Sequence, residues 1–234
     1  MKLGIMQPYI FPYIGYIQLI KAVDKFVVYD DVAFIKQGWI NRNRILLNGE
    51  PHTFTVPLKN ASSFVTIGNT EINQSMYQPW KNKFLKTLTQ AYSKARFYNE
   101  VYGLVESVLE EQGSTICDLA TKSLITTCSY LNINTEFVLS VKRYENSHLK
   151  AKGRVIDICK KEKADIYINP IGGKELYDKA EFKQQGLDLF FLKTGGIRYS
   201  QNTIEFVPWL SIIDVMMYNA PDAITGFLND FELE

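Results

Sequence analysis

Apolar positions change their spacing twice within the first thirty or so residues. KLGIM, at 2–6, is a short apolar run of the kind that forms a buried strand. From Gly15 the spacing lengthens, and Tyr16, Leu19, Ile20 and Val23 fall at i, i+3, i+4 and i+7, one face of a helix. KFVVY, at 25–29, returns to a strand pattern and ends in the acidic pair Asp30 and Asp31. A strand–helix–strand crossover this short joins two parallel strands of one sheet. Asn48-Gly49 then separates two β-rich runs and predicts a hairpin, because both residues tolerate positive φ. The following NASSFVTIGNT reads as a loop with a short strand.

The middle of the chain is helical by the same criterion. Trp80, Phe84 and Leu88 recur every fourth residue, and Val101, Leu104, Val105, Val108 and Leu109 mark a second segment. Ile116, Leu119, Ala120 and Leu131 mark a third, with Ser114 as its expected N-cap. Alternation then resumes. TEFVLSV, ADIYINP and LDLFFLK read as strands, GRVIDICKKEK as a helix, and SIIDVMMY and PDAITGFLND as short closing helices. The expectation is a single α/β domain over 1–234 with a mainly parallel sheet flanked by helices and an added antiparallel ribbon. The helical segment 77–131 covers one face of that sheet or forms a sub-lobe.

Composition changes this picture little. A net charge of +1 carries no global field toward nucleic acid or acidic membrane, so any anion site must be local. Three cysteines, with no CxxC pair, fit a reducing compartment and argue against a disulfide framework or a zinc site. Cys117 and Cys128 fall in an apolar-periodic stretch and read as buried small hydrophobes. MKLGIMQ runs at once into Pro8 and Tyr9, without the apolar core of a signal peptide. No stretch approaches the roughly 18 apolar residues that span a bilayer. We therefore expect a cytoplasmic protein with a small-molecule substrate, no membrane insertion and no nucleic-acid partner.

In a parallel sheet, ligands bind outside the carboxyl ends of the strands. Four loops follow such ends here. In the first, QPYIFPYIGY, Pro8 and Pro12 fix φ, and Gln7 stands at the strand's end. Gly15 permits close approach at a helix N-terminus. Tyr9, Phe11, Tyr13 and Tyr16 either pack the core or wall a pocket. The second loop carries Asp30, Asp31, Lys36, Trp39, Asn41, Arg42, Asn43 and Arg44. Alternation predicts Trp39, Asn41 and Asn43 on one face and Ile40, Arg42 and Arg44 on the other. The two aspartates are either an exposed, ion-paired turn or a carboxylate pair for Mg²⁺ or a substrate amine. In the third, Lys150, Lys152 and Arg154 crowd a helix N-terminus, where cations oppose the helix dipole unless a phosphate is bound. The fourth, NPIGGKELY, places Gly172 and Gly173 where backbone N–H groups can face an anion, or in a plain turn. His52 and His148 have no partners at metal-ligand spacing, so no metal site of the zinc kind is expected.

Three blocks carry a resemblance. MQPYIFPYIGYIQLIKAVDKFVVYDDVAFIKQGWINRNRILLNGEPHTFTVPL, KGRVIDICKKEKADIYINPIGG and FVPWLSIIDVMMYN resemble the WbqC-like family of bacterial surface-polysaccharide gene clusters. The resemblance implies a role in O-antigen or other surface-glycan synthesis, with transfer of glycine or a similar amino acid to an amino sugar. The family's pattern carries a His-Pro in KTGGIRYSQ where Gly196 and Ile197 stand here, with Tyr199 and Gln201 retained. PYIGYIQLI also resembles the strand, HxGH, helix entry of the nucleotidyltransferase superfamily, a Rossmann-like fold, with Tyr13 and Tyr16 in the histidine places. That likeness implies ATP, with Mg²⁺, as a cofactor. Tyrosine donates a hydrogen bond but cannot carry the positive charge of those histidines.

Together the likenesses imply amide formation on an amino sugar held by a nucleotide or lipid carrier. Lys150, Lys152, Arg154, Gly172 and Gly173 would then bind phosphate. Asp30, Asp31 and Lys36 would serve the chemistry. Gln7, Tyr9, Tyr13, Gly15, Tyr16, Trp39, Asn41, Arg42, Asn43, Tyr199 and Gln201 would surround the substrate. The other function in view is a non-catalytic nucleotide or nucleotide-sugar binding protein of the same process.

Overall fold

A computed structural model describes residues 1–110 and 113–234. Its centre is a six-stranded sheet. Strands β1 (Lys2–Met6), β2 (Lys25–Val28), β5 (Glu136–Val138), β6 (Ile166–Pro170) and β7 (Asp188–Thr194) are mutually parallel, and β8 (Phe231–Leu233) closes one edge antiparallel. The spatial order is β5-β2-β1-β6-β7-β8. Counted along the chain, the parallel strands lie third, second, first, fourth, fifth. The order therefore reverses between β1 and β6, the switch point beyond whose carboxyl ends sheets of this kind bind ligands.

Period-two side-chain placement gives the sheet two apolar faces. Phe26, Val28, Ile168 and Leu192 face one core, and Leu3, Ile5, Val27, Tyr167 and Phe191 face the other. The first core is covered by α1 (Ile14–Ala22), by α2 (Gln74–Tyr92), α3 (Tyr98–Glu110) and α4 (Ile116–Tyr130), and by α7 (Ile212–Tyr218) and α8 (Pro221–Leu228). The second lies under α5 (Ala151–Lys161) and α6 (Lys179–Gln184). Leu88, Val105 and Leu124 join the same buried cluster as Phe26, so the central helices cover the sheet's first face. Cys117, Cys128 and Cys159 are all buried, and burial pushes each thiol up to about 12.

The expected hairpin is present as β3 (Arg42–Leu47) and β4 (Glu50–Thr55), with Asn48 at φ 53° and Gly49 at φ 83°. Several local expectations need correction. The α4 cap is Thr115, one residue beyond Ser114. Its hydroxyl accepts from the Asp118 backbone N–H, and Asp118 accepts in return from Thr115, a reciprocal capping box. NASSFVTIGNT makes only one isolated bridge, Thr66 to Ala33, and a 3-10 turn at Ile67–Asn69. The short elements α6 and β8 lack a periodic signature long enough to read.

Replacing Thr115 by Ala removes the cap of the central helix. The expected loss is about 1 kcal/mol, lowering the melting temperature by about 2–4 °C for a chain of this size. Ser114→Ala should change it by less than half as much, as differential scanning fluorimetry would show.

Candidate functional site

The aromatic loop after β1 is held in a conformation that its residues do not favour. Phe11 sits at φ 39°, a left-handed value disfavoured for a bulky side chain, yet it is fully buried. Its backbone is clamped from three sides. Its carbonyl accepts from Asn43 Nδ2 at 2.7 Å and Ser211 Oγ at 2.6 Å, and its N–H donates to Ser123 Oγ at 3.0 Å. The next carbonyl, of Pro12, accepts from Ile212 N at 2.7 Å. Asn43 on β3, Ser123 on α4 and Ser211 before α7 thus fix one loop.

This clamp sorts the loop's tyrosines. Tyr16 points inward, its ring against Phe26 and Tyr9 and its hydroxyl donating to the Gln7 carbonyl at 2.6 Å. It is a core residue, and burial holds its hydroxyl well above the usual pKa. Tyr13 points the other way, packing on Trp209 at 5.8 Å between ring centroids. Burial raises its pKa too, while a hydrogen bond with Thr194 at the end of β7 pulls it back. Gly15 makes this placement possible, because a Cβ there would collide with the Tyr13 ring and Thr194 Oγ1.

Tyr13 and Trp209 form a wall between two cavities. The first, about 250 Å³, is lined by Thr194, Arg198, Tyr199 and Phe206 among others. The second, about 330 Å³, is lined by Tyr9, Pro12, Trp39, Asn43 and Arg44. The described lining of both contains two arginines and no carboxylate, lysine, histidine or cysteine. Both are lined by Tyr13 from the loop after β1, and the first also by Thr194 at the carboxyl end of β7. Tyr9, Tyr13, Trp39, Asn43 and Tyr199, drawn from distant parts of the chain, meet around this cleft.

The face assignment for 39–44 is corrected. β3 begins only at Arg42, so Trp39 lies in the preceding turn, where Gln37 takes φ 62°. Asn43 and Ile45 point inward, while Arg42 and Arg44 hold the exposed Trp39 ring at 5.4 and 5.5 Å. Arg42 is spent on the Gly38 carbonyl at 3.0 Å and on the Gln37 carbonyl, and Asn41 on the Val56 carbonyl at 2.9 Å. Lys36 is exposed at a shallow depression beside the hairpin.

The charged candidates lie elsewhere, and most are engaged. Asp30 is not an exposed turn residue. It is buried and accepts from Ser140 Oγ at 2.8 Å and Val141 N at 3.0 Å. Asp31 pairs with Arg154, which also donates to Asn146 Oδ1 at 2.9 Å and lies over the Tyr29 ring at 5.2 Å. Lys152 pairs with Glu181 at 2.6 Å, and Lys150 is exposed at the α5 N-cap. Gly173 leaves room for the Asn169 amide, whereas a Cβ on Gly172 would meet open space. No group of three or more His, Cys, Asp or Glu able to hold a metal occurs among the described residues.

The residue missed in the sequence is Asp214. It is fully buried on α7 and accepts from Tyr92 at 2.7 Å, Tyr199 at 2.7 Å and Gln201 at 3.0 Å. Tyr92 accepts in turn from Leu46 N at 2.9 Å, and Gln201 exchanges bonds with both backbone groups of Val207. The segment from Gly195 to Leu210, which carries Arg198 and Trp209 to the cleft, is thereby tied to the core. An acidic residue within the apolar SIIDVMMY is the signal that marks it. Burial raises the Asp214 pKa, and its three hydrogen bonds oppose that rise.

A carboxyl with a higher pKa folded than unfolded binds more protons in the native state, so stability falls as pH rises from the unfolded value, roughly 4. Melting temperatures across pH 4–7 should therefore shift in favour of Asp214→Asn relative to wild type as pH rises. Tyr92→Phe strands Asp214 Oδ1 and the Leu46 N–H. It should cost about 1–3 kcal/mol, read as a lowered denaturation midpoint.

The family model described as WbqC-like protein family matches residues 7–225. The chain is 29% identical over 228 residues to the uncharacterized protein Rv1507c of Mycobacterium tuberculosis, covering 94% of this chain and 96% of that one. No solved structure matches with significance. Among the described residues, no helix is long and apolar enough to cross a membrane.

Proposed function

Because the chain belongs to the WbqC-like protein family, we propose that it works in bacterial surface-glycan (O-antigen) assembly, transferring an aminoacyl group such as glycine to an amino sugar on a nucleotide or lipid diphosphate. The observation that carries this reading is the cleft. Four aromatic rings, Tyr9, Tyr13, Trp39 and Trp209, line the second cavity together with Arg44, a volume suited to a pyranose, and Arg198 lines the first cavity on the other side of the Tyr13–Trp209 wall. Sugars present apolar C–H faces to aromatic rings, and arginine is the side chain best matched to phosphate. Two cavities sharing one wall suit a reaction that joins two molecules, since holding both partners lowers the entropic barrier.

In the bond-forming step, the sugar amine attacks the activated acyl carbon, the new amide nitrogen gives up a proton to solvent, and the leaving group departs: AMP with one carboxyl oxygen from an adenylate, or a thiol from a thioester. ATP with Mg²⁺ enters where the chain itself activates the amino acid. The switch-point fold, Lys150 and the open side of Gly172 support that version. Two of its expected cations, Lys152 and Arg154, are held by Glu181 and Asp31, and Tyr16 has given its hydroxyl to Gln7. A donor already activated as a thioester avoids this demand.

A second reading is a non-catalytic nucleotide-sugar binding protein. It is favoured by the absence, from the described cleft lining, of any group that titrates near neutrality.

One experiment separates these readings. The protein is incubated with a panel of dTDP- and UDP-amino sugars and either glycine, ATP and Mg²⁺ or a glycyl thioester, and products are read by mass spectrometry. A glycylated sugar with release of AMP is the expected outcome. Product from the thioester alone removes the adenylation step and keeps the transfer. Thermal stabilisation by a nucleotide sugar, with no product from either donor, decides for the binding protein.

A further inference from the structure

Every cation assigned to phosphate by sequence pattern lies around α5, and the two nearest its first turn already have anionic partners. Arg44 does not. Among the described residues it forms no ion pair, although it lines the second cavity. Its Nη2 makes one long bond, 3.3 Å to the Trp209 carbonyl, and its Nε is sealed from solvent without any hydrogen-bond partner. A buried unmet donor on a charged group is costly, and native proteins keep few of them. The guanidinium stays in place because Trp39 lies against it at 5.5 Å and because its own backbone carbonyl is bonded by Ser211 N at 2.8 Å. Arg42, on the same ring, has spent its Nε and one Nη on backbone carbonyls, so Arg44 is the arginine of the pair with donors to offer.

From this we infer that the second cavity is a phosphate-recognition subsite. It would hold the diphosphate of a glycosyl diphosphate on Arg44, with the attached ring lying on Trp39 and Tyr13. The inference deepens the proposed function and rests on its choice of cleft. It moves phosphate recognition from α5 to β3. A phosphate oxygen pair supplies the acceptors that the chain withholds from this fork of N–H donors. A guanidinium turned toward it gives up the bond to the Trp209 carbonyl. Trp209 itself sits at φ 61°, so binding in the second cavity would loosen the wall it shares with the first.

The site carries its own reporter. Two of the three tryptophans, Trp39 and Trp209, line this cavity, while Trp80 stacks on Phe84. Tryptophan fluorescence of the full chain is titrated with UDP, dTDP, inorganic pyrophosphate and glucuronate at two salt concentrations. The expected result is a saturable change with UDP, dTDP and pyrophosphate that weakens with salt. Arg44→Gln should weaken it about tenfold or more and Arg44→Lys by less, because the charge remains and the paired donors are lost. Circular dichroism and melting temperature confirm that both variants fold. A nucleoside diphosphate that binds while pyrophosphate does not places the anion elsewhere and overturns the proposal. So does unchanged affinity in Arg44→Gln, or a response to glucuronate with none to any phosphate. The glycylation assay reads independently. Arg44-dependent binding without product retires the transfer reaction alone, and product with Arg44-independent binding retires this subsite alone.

Discussion

The buried carboxylate of Asp214 is the constraint on which the candidate site depends. A charge, or even a neutral acid, with no exposure to water is tolerated only when every lone pair has a partner. Here three partners come from two places: Tyr92 at the end of α2, and Tyr199 and Gln201 on the segment after β7. That segment has no regular structure and few apolar residues facing inward. Its attachment to the fold is therefore largely polar and specific. The hydrogen bonds at Asp214 and Val207 hold it, and Arg198 and Trp209 reach the cleft as a consequence. Tyr92 also binds Leu46 N, so the same network sets the position of β3 and, through it, Asn43 and Arg44.

A second clamp answers the first from across the cleft. Asn43 and Ser211 converge on the Phe11 carbonyl and stabilise a backbone conformation costing on the order of 1–3 kcal/mol by itself. The strain has a result: it turns Tyr16 into the core and leaves Tyr13 facing Trp209. The loop after β1, the hairpin and the segment before α7 are thus one mechanical unit. Strain concentrated there, at Phe11 and again at Trp209, is common where a protein builds a binding surface rather than a core.

Much of the fold was legible because it rests on periodicity. The strand–helix–strand opening, the Asn48-Gly49 hairpin and the three central helices each follow from the spacing of apolar residues or from turn chemistry. The reversal of strand order between β1 and β6 was not, since spacing says which residues face inward but not which strands are neighbours. The site was legible in part. Tyr9, Tyr13, Trp39 and Asn43 stood out by type, but Tyr16 is chemically equal to Tyr13 and only the Phe11 clamp distinguishes their directions. Arg154 and Lys152 looked available because their partners, Asp31 and Glu181, are 123 and 29 residues away. Asp214 interrupts an apolar run, and its three donors lie in segments that no local pattern connects to it.

Charge balance is the last step. The chain is nearly neutral, and several of its cations are paired internally: Lys25 with Glu162, Lys81 with Glu110, Arg154 with Asp31, Lys152 with Glu181. Two further arginines, Arg44 and Arg198, line adjoining cavities whose described lining holds no carboxylate. Among the described residues, Arg198 has the Phe206 ring at 5.8 Å, and Arg44 the Trp39 ring and one long bond to a carbonyl. Rings orient a guanidinium and shield it from water, but they do not neutralise it. Arg198 is exposed, but Arg44 is part-buried with its Nε sealed from solvent, and for it the missing counter-ion is an electrostatic cost that an anion arriving from outside would recover. The aromatic walls and the unmatched arginines therefore point to one ligand type with an apolar ring face and a negative charge. Neither feature alone would separate such a ligand from a neutral sugar or a free phosphate.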